Sequence, residues 1–256
     1  MKNYFDFTGQ VAFITGASSG LGLQMSRALA SKGANIVLVA RREDRLISIA
    51  KEIKDEFKVE CLPVKCDITN LEQVQSAVTR AIDTFGKIDI LVNNAGTGMI
   101  CSTEEVSDEE LLREINVDLL GVFRCSREVG KFMIKAGYGR IINIASIYGL
   151  VGNMQSPCAP YHAAKGGVVN LTRALAAEWG KYGITVNCIC PGYFETELTR
   201  DILKTKEFQE FVSREDPLGR YGNEGELDTT ILYLADQNSS YVNGVNLPVD
   251  GGYTCI

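Results

Sequence analysis

The sequence predicts an α/β fold: a doubly wound parallel sheet of about seven strands, flanked by helices and filling residues 1–256 as a single domain. Three observations predict it. Short apolar runs rich in β-branched residues alternate with longer segments of helical period, the pattern of successive βαβ units. The strand runs are apolar almost without interruption, which calls for burial on both faces and so for helices on both sides. A glycine-rich turn follows the first run and opens a helical segment.

In chain order, residues 11–14 form the first strand, and 21–32 a helix that stops before Gly33. Residues 35–40 are a strand, 44–57 a helix, 61–66 a strand, 71–85 a helix and 88–92 a strand. A long helical pattern over 108–136 precedes the strand 140–145. A helix over 161–182, a strand over 184–190, helices over 196–213 and 224–235, and a strand over 244–249 complete the alternation. The least regular stretch, 149–160, holds Gly149, Gly152, Pro157 and Pro160. It follows the carboxyl end of a strand, where open α/β sheets bind ligands.

Composition narrows the function classes. With 26 Lys+Arg against 32 Asp+Glu, the chain carries a net charge of −6, which gives no bulk attraction to nucleic acid or an anionic membrane. A single histidine excludes a multi-histidine metal cluster, and none of the eight cysteines has the two-residue gap of a zinc ribbon. Cys188 and Cys190 alternate along a strand, so both face one side as small core side chains. No segment approaches the ~18 apolar residues of a membrane span, and residues 1–9 lack the apolar stretch of a signal peptide. With dispersed, reduced cysteines, a cytoplasmic protein without metal is expected.

The glycines of Thr15-Gly-Ala-Ser-Ser-Gly-Leu-Gly22 would let backbone approach a pyrophosphate while the helix N-terminus offers free amides. Candidate contacts are Gly16, Ser18, Ser19, Gly20, Leu21 and Gly22. A structural turn is the alternative. The second strand ends at Ala40, where NAD-binding units tend to place a carboxylate, and continues with Arg41 and Arg42. Guanidinium groups there would bind a 2′-phosphate through forked hydrogen bonds, so NADP(H) is the expected cofactor; a solvated helix start with Glu43 and Asp44 is the alternative. Asp67, followed by Ile68, either meets an adenine or caps the next helix. Asn93-Asn94-Ala95-Gly96 is a tight loop, beside a cofactor or in any turn.

Tyr161 and Lys165, four apart on a helix, share one face. Lowering a phenol by about three pH units takes roughly 4 kcal/mol, and both a neighbouring lysine and a cationic nicotinamide act with the required sign. Ser146, at a strand end, can hydrogen-bond a substrate oxygen as charge develops on it. Without these companions, Tyr-x-x-x-Lys would simply be a tyrosine packed on a lysine stem.

These motifs, together with Pro191-Gly192, make the chain similar over its whole length to the short-chain dehydrogenase/reductase family. The resemblance implies a Rossmann-type domain in which Tyr161 is the general acid/base, Lys165 lowers its pKa and holds the nicotinamide ribose, and Ser146 orients the carbonyl or alcohol. It implies that Asn116, in Glu114-Ile-Asn-Val-Asp118, anchors a proton-relay water. It also assigns Pro191, Gly192, Phe194 and Thr196 to the nicotinamide and phosphates, and implies a homotetramer joined through long central helices and the C-terminal segment; the apolar residues of 119–133 suit such packing, with burial inside a monomer as the alternative. Within the family the chain looks most like gluconate 5-dehydrogenase-like and 3-oxoacyl-carrier-protein reductase members, through residues 174–183, 217–222 and 249–253. The departure is the fifteen-residue step from Ser146 to Tyr161, with 154–160 extended.

The expected activity is interconversion of a secondary alcohol and a ketone by hydride transfer. A sugar acid such as gluconate/5-ketogluconate, a 3-oxoacyl thioester and a hydroxysteroid are the candidate substrates. For a sugar acid, Arg200, Lys204 and Lys206 are the candidate cations, with a solvated helix face as the alternative. A dinucleotide-sensing scaffold without activity is the contrasting reading.

Overall fold

The computed structural model describes residues 4–197 and 199–256. Strands Val11–Thr15 (β1), Asn35–Ala40 (β2), Cys61–Lys65 (β3), Ile90–Asn93 (β4), Gly139–Ile144 (β5), Ile184–Pro191 (β6) and Asn246–Val249 (β7) form one sheet in the order β3-β2-β1-β4-β5-β6-β7. Every pairing is parallel, as the unbroken apolar runs required. Side chains of each strand alternate between two cores. Ile36 and Leu38 of β2 join one with Ile14, Leu29 and Ile90, and Val37 and Val39 join the other with Leu91, Met133 and Ile141.

Helices Gly20–Ala30 (α1), Glu43–Phe57 (α2), Leu71–Phe85 (α3), Asp108–Ile115 (α4), Val122–Ala136 (α5) and Ala159–Trp179 (α6) make the crossovers. Local chemistry sets their ends. The Asn70 side chain accepts from the Gln73 amide at the start of α3, and Ser107 and Glu110 form a reciprocal capping box at the start of α4. Between α4 and α5 the expected helix over 108–136 continues through a π-helical turn, Asn116–Gly121, whose wider winding re-aims the side chains that follow.

Three expectations are corrected near the C-terminus. The helix expected over 196–213 is two shorter ones, Arg200–Leu203 (α7) and Lys206–Glu215 (α8), because Thr205 interrupts the first and caps the second at the Phe208 amide; residue 198 lies outside the described residues. The helix expected from 224 begins at Asp228 (α9, Asp228–Ala235), since Gly225 sits at φ +85°. The last strand begins at Asn246, after Gly244 at φ +79°. No helix among the described residues is long and apolar enough to cross a membrane.

A buried polar chain ties the carboxyl ends of β4 and β5 to α5 and α6. Asn93 Nδ2 donates to Ser126 Oγ (2.9 Å) and Asn143 Oδ1 (2.8 Å), and Asn143 Nδ2 donates to Thr172 Oγ1 (2.9 Å). Deleting one member strands the others without solvent. Asn143→Ala is therefore expected to lower stability by about 2 kcal/mol, read as a lower urea midpoint at unchanged m value; an unchanged midpoint would remove this chain from the forces holding the sheet.

Candidate active site

The sheet order reverses between β1 and β4, and the loops leaving these strands are locked together there. Thr15 Oγ1 accepts from the Asn94 and Ala95 amides, both at 3.0 Å, and the Asn94 side-chain amide donates to the carbonyls of Thr15 (3.0 Å) and Gly16 (3.3 Å). A Cβ on Gly22 would stand 2.5 Å from the Gly16 carbonyl oxygen. Glycine is thus required by the packing of the turn on its own helix. Ser19, at the N-cap of α1, makes no side-chain cap bond, and the first turn has no acidic residue. The donor set fits a pyrophosphate, since the first helix amides have no side-chain cap and the first turn itself carries no carboxylate.

Arg42 is built into this loop. Its Nη2 donates to Ser18 Oγ (2.9 Å) and Ser19 Oγ (2.7 Å), and its Nη1 pairs with Glu197 (2.8 Å), which Arg45 also grips. The two guanidiniums, Arg45 and then Arg42, hold the Glu197 carboxyl down to about 2. Arg41 is exposed, and the Asp67 carboxyl lies below the usual range: burial opposes this, but bonds from Thr69 and the Arg41 charge outweigh it. The Asp67 carboxylate accepts from Thr69 N and Oγ1 (2.9 and 2.7 Å), and the helix cap expected of it is supplied by Asn70 instead. Ile68 packs its side chain into the core against Gly121, leaving only backbone for a ligand.

Across the cleft, Pro191 ends β6, and the Gly192 amide donates to the Val249 carbonyl (3.0 Å). The buried Phe194 bridges to Gly222, and its carbonyl accepts from Thr199 Oγ1 (2.6 Å). Thr196 stands beside Gly20, 3.5 Å from where a Cβ would be, so the segment after β6 reaches the N-terminus of α1.

Two elements converge on the chemical end. Ser146 lies just past β5, its hydroxyl accepting from the Tyr148 amide (3.1 Å) and acting to lower the pKa of the Tyr161 phenol. Tyr161 and Lys165 share one face of α6, with Nζ 5.4 Å from the phenol ring centroid. The buried Lys165 donates to the Ile144 carbonyl (3.2 Å) and stands 3.6 Å from Asp118 Oδ1. Burial acts to lower its pKa, but Asp118 and Tyr161 outweigh that and the net shift is upward. Tyr161 is raised as well: burial pushes the phenol up, Lys165 pulls it down, and Asp118 and Glu114 add to the rise. The lysine acts with the expected sign, yet burial outweighs it in the chain by itself. Asn116 opens the π-helical turn, and its carbonyl accepts from Arg124 Nη1 (3.4 Å).

Three residues beside Lys165 went unread as site members: Thr97, Glu114 and Asp118. Thr97 N donates to Asp118 Oδ1 (2.9 Å) and Thr97 Oγ1 to Glu114 Oε2 (2.7 Å). Glu114 and Asp118 are four apart on a helical pattern, a spacing that puts both carboxyls on one face; nothing in the sequence marks Thr97. Burial first, then Asp118, raises Glu114 to about 7.

The wall next to Tyr161 is aromatic. Tyr148 stacks on His162 with centroids 4.6 Å apart, meets the Tyr161 ring edge-on, and shares a 2.9 Å hydroxyl contact with Tyr193, which packs against Phe208, Phe211 and Tyr253. The cations considered for a sugar acid are engaged elsewhere: Arg200 and Lys204 bind Glu195 on the surface, and Lys206 pairs with Glu210. That is the solvated face.

Residues 16–254 match the family model described as Enoyl-(Acyl carrier protein) reductase. Gluconate 5-dehydrogenase of Gluconobacter oxydans is 36% identical over 253 residues, covering 98% of this chain and 96% of that protein. The crystal structure of a gluconate 5-dehydrogenase from Burkholderia cenocepacia, in complex with NADP and tartrate, superposes with a TM-score of 0.94 at 37% identity, covering 98% of each chain. NADPH-dependent 3-quinuclidinone reductase from Rhodotorula rubra superposes at 0.93 with 30% identity, covering 98% of this chain and 94% of that one.

Glu114 gives a pH signature to stability. An unfolded glutamate ionises near 4.5, whereas the folded one holds its proton to about 7, so folding takes up a proton in that window and stability falls as pH rises through it. Glu114→Gln is expected to remove this fall, leaving the variant's advantage over the parent largest above pH 7. Parallel stability curves for the two proteins across the window would contradict the assignment.

Proposed function

The chain belongs to the short-chain dehydrogenase/reductase family, and on that premise we propose that it interconverts a secondary alcohol and a ketone with NADP(H). One observation carries the reading: Ser146, Tyr161 and Lys165 meet at the carboxyl end of β5, beside a switch-point cleft lined with anion-binding backbone and Arg42.

Bound NADPH supplies a hydride to the carbonyl carbon, and NADP⁺ accepts one in the reverse direction. The protein handles the oxygen. In reduction the Tyr161 O–H gives its proton to the carbonyl oxygen as negative charge develops there, and in oxidation the phenolate takes it back. Ser146 donates a hydrogen bond to the same oxygen, an interaction that strengthens as charge builds. Lys165 sets the field in which the phenol ionises. Gly16, Ser18, Ser19, Gly20, Leu21 and Gly22 receive the pyrophosphate, Asp67, Ile68, Asn94, Ala95 and Gly96 border the adenosine and ribose, and Pro191, Gly192, Phe194 and Thr196 close over the nicotinamide. Arg42, held by Ser18 and Ser19, takes the 2′-phosphate in exchange for its Glu197 partner, with Arg41 adding charge from outside.

For the substrate, the aromatic wall of Tyr148, His162 and Tyr193 favours an uncharged ring ketone or apolar acyl ketone. A sugar acid is favoured by the names of two relatives, and the ion pairs of Arg200, Lys204 and Lys206 weigh against it. A cytoplasmic homotetramer completes the reading, supported by eight unpaired thiols and by exposed Leu112, Leu120, Phe123 and Phe132 along α4, the π-helical turn and α5.

Tyr161→Phe is expected to cut turnover by about 10²-fold or more while NADPH affinity holds, measured by nicotinamide absorbance and fluorescence; retained turnover would end the acid/base assignment. Arg42→Ala should weaken NADPH about tenfold or more beyond any loss of NADH, and Arg41→Ala should act less. Equal losses of both cofactors would contradict the 2′-phosphate role. A screen of cyclic ketones, acetoacetyl thioesters and 5-ketogluconate decides the substrate class, with fastest turnover expected from the uncharged ketones.

A further inference from the structure

Beside Lys165, two carboxyl groups are sealed from solvent. Glu114 is 2% exposed and Asp118 is fully buried. Asp118 has Lys165 Nζ at 3.6 Å and the Thr97 amide at 2.9 Å. Among the described residues Glu114 has a single donor, the Thr97 hydroxyl on Oε2, and its buried Oε1 has none. The same Thr97 hydroxyl stands 3.4 Å from Asp118 Oδ2, so a single donor lies between the two carboxyls. Two ionised carboxylates are both acceptors and repel each other, so a proton on one of them is what lets both lie buried around that one donor.

The site is also built to keep them there. A Cβ on Gly96 would stand 2.5 Å from Asp118 Oδ1 and 3.2 Å from Lys165 Nζ, so the loop after β4 closes over this ion pair only as glycine. The wider winding of Asn116–Gly121 lies between α4, which carries Glu114, and α5, and it carries Asp118.

We propose that Glu114 and Asp118 hold one proton between them and act, through the Asp118–Lys165 contact, as positioning residues for the Tyr161–Lys165 couple. With the proton present, the pair carries one negative charge, matching the ammonium. With it lost, a second negative charge faces the couple and the phenol keeps its proton more tightly. The inference rests on the catalytic reading of Tyr161 given above, and neither carboxyl touches the reacting atoms.

The surrounding charges agree. Facing Glu114 are Asp118 from the π-helical turn, Lys165 and Tyr161 from α6, and Cys158 from the start of α6; Cys188 of β6 faces Lys165. Lys165 is the cation among them, and its nearest carboxylate is Asp118. The raised Glu114 carboxyl, at about 7, places the change of charge in the neutral range.

The test uses the full chain and needs no substrate. Tyrosinate ultraviolet absorbance is titrated in the parent and in Glu114→Gln, each against the matching Tyr161→Phe protein, so the difference isolates the Tyr161 phenol. Glu114→Gln, neutral at every pH, is expected to lower the Tyr161 midpoint by about half a pH unit; an unchanged midpoint overturns the proposal. Infrared difference spectra give a second reading should that variant fold poorly. The parent is expected to show a carboxylic-acid C=O band titrating near 7, displaced to higher pH in Thr97→Val, which removes the donor to Glu114. No such band in the parent, or no displacement in Thr97→Val, also overturns it. Loss of the alcohol/ketone reading itself would appear separately, as turnover surviving Tyr161→Phe.

Discussion

The ammonium of Lys165 is buried, and much of the site follows from making that tolerable. An unpaired charge in a protein interior costs several kcal/mol, and removing its partner is more disruptive than removing both. The fold answers with the Ile144 carbonyl at 3.2 Å, Asp118 at 3.6 Å and the Tyr161 ring beneath the ammonium. Each answer constrains a different element: the end of β5, the π-helical turn and the first turn of α6. Gly96 is drawn in because any side chain would collide with the ion pair. Glu114 and Thr97 are drawn in because they border the carboxylate that balances the lysine.

The same elements are anchored from below by uncharged groups. Asn93 at the end of β4, Asn143 of β5 and Thr172 of α6 form a buried chain whose last hydroxyl donates to the Val168 carbonyl, one turn beyond Lys165. The depth of Lys165 is thus set by the sheet, through hydrogen bonds that have no water to fall back on. At the other side of the switch point, Thr15 and Asn94 perform the equivalent task for the glycine turn. The glycine turn and the Tyr161–Lys165 pair are two outlets of one seam between β1, β4 and β5.

The substrate side is built by a different logic. Aromatic rings from the segment after β5, from α8 and from the segment after β7 pack edge to face around Tyr193. Such a wall discriminates by shape and desolvation more than by charge. Relatives named for gluconate and for quinuclidinone share the fold at TM-scores of 0.94 and 0.93, so the fold by itself does not choose a substrate.

Much of the architecture was legible in the residues. Unbroken apolar runs imposed a parallel sheet with helices on both faces, and the observed order β3-β2-β1-β4-β5-β6-β7 is such a sheet. The glycine turn and the four-residue step from Tyr161 to Lys165 are local signals, because backbone clearance and helix geometry act over one or two turns. Where local reading failed, the cause was also local: Thr205 and Gly225 ended or delayed helices that periodicity alone would have extended. What only the tertiary structure decided depends on residues far apart in the chain. Arg42 rather than Arg41 enters the loop because Ser18, Ser19 and Glu197 meet it there. Thr97 joins the site because the β4 loop packs on the helix carrying Glu114 and Asp118, and the protonation of that carboxyl pair follows from a burial that only the assembled fold imposes.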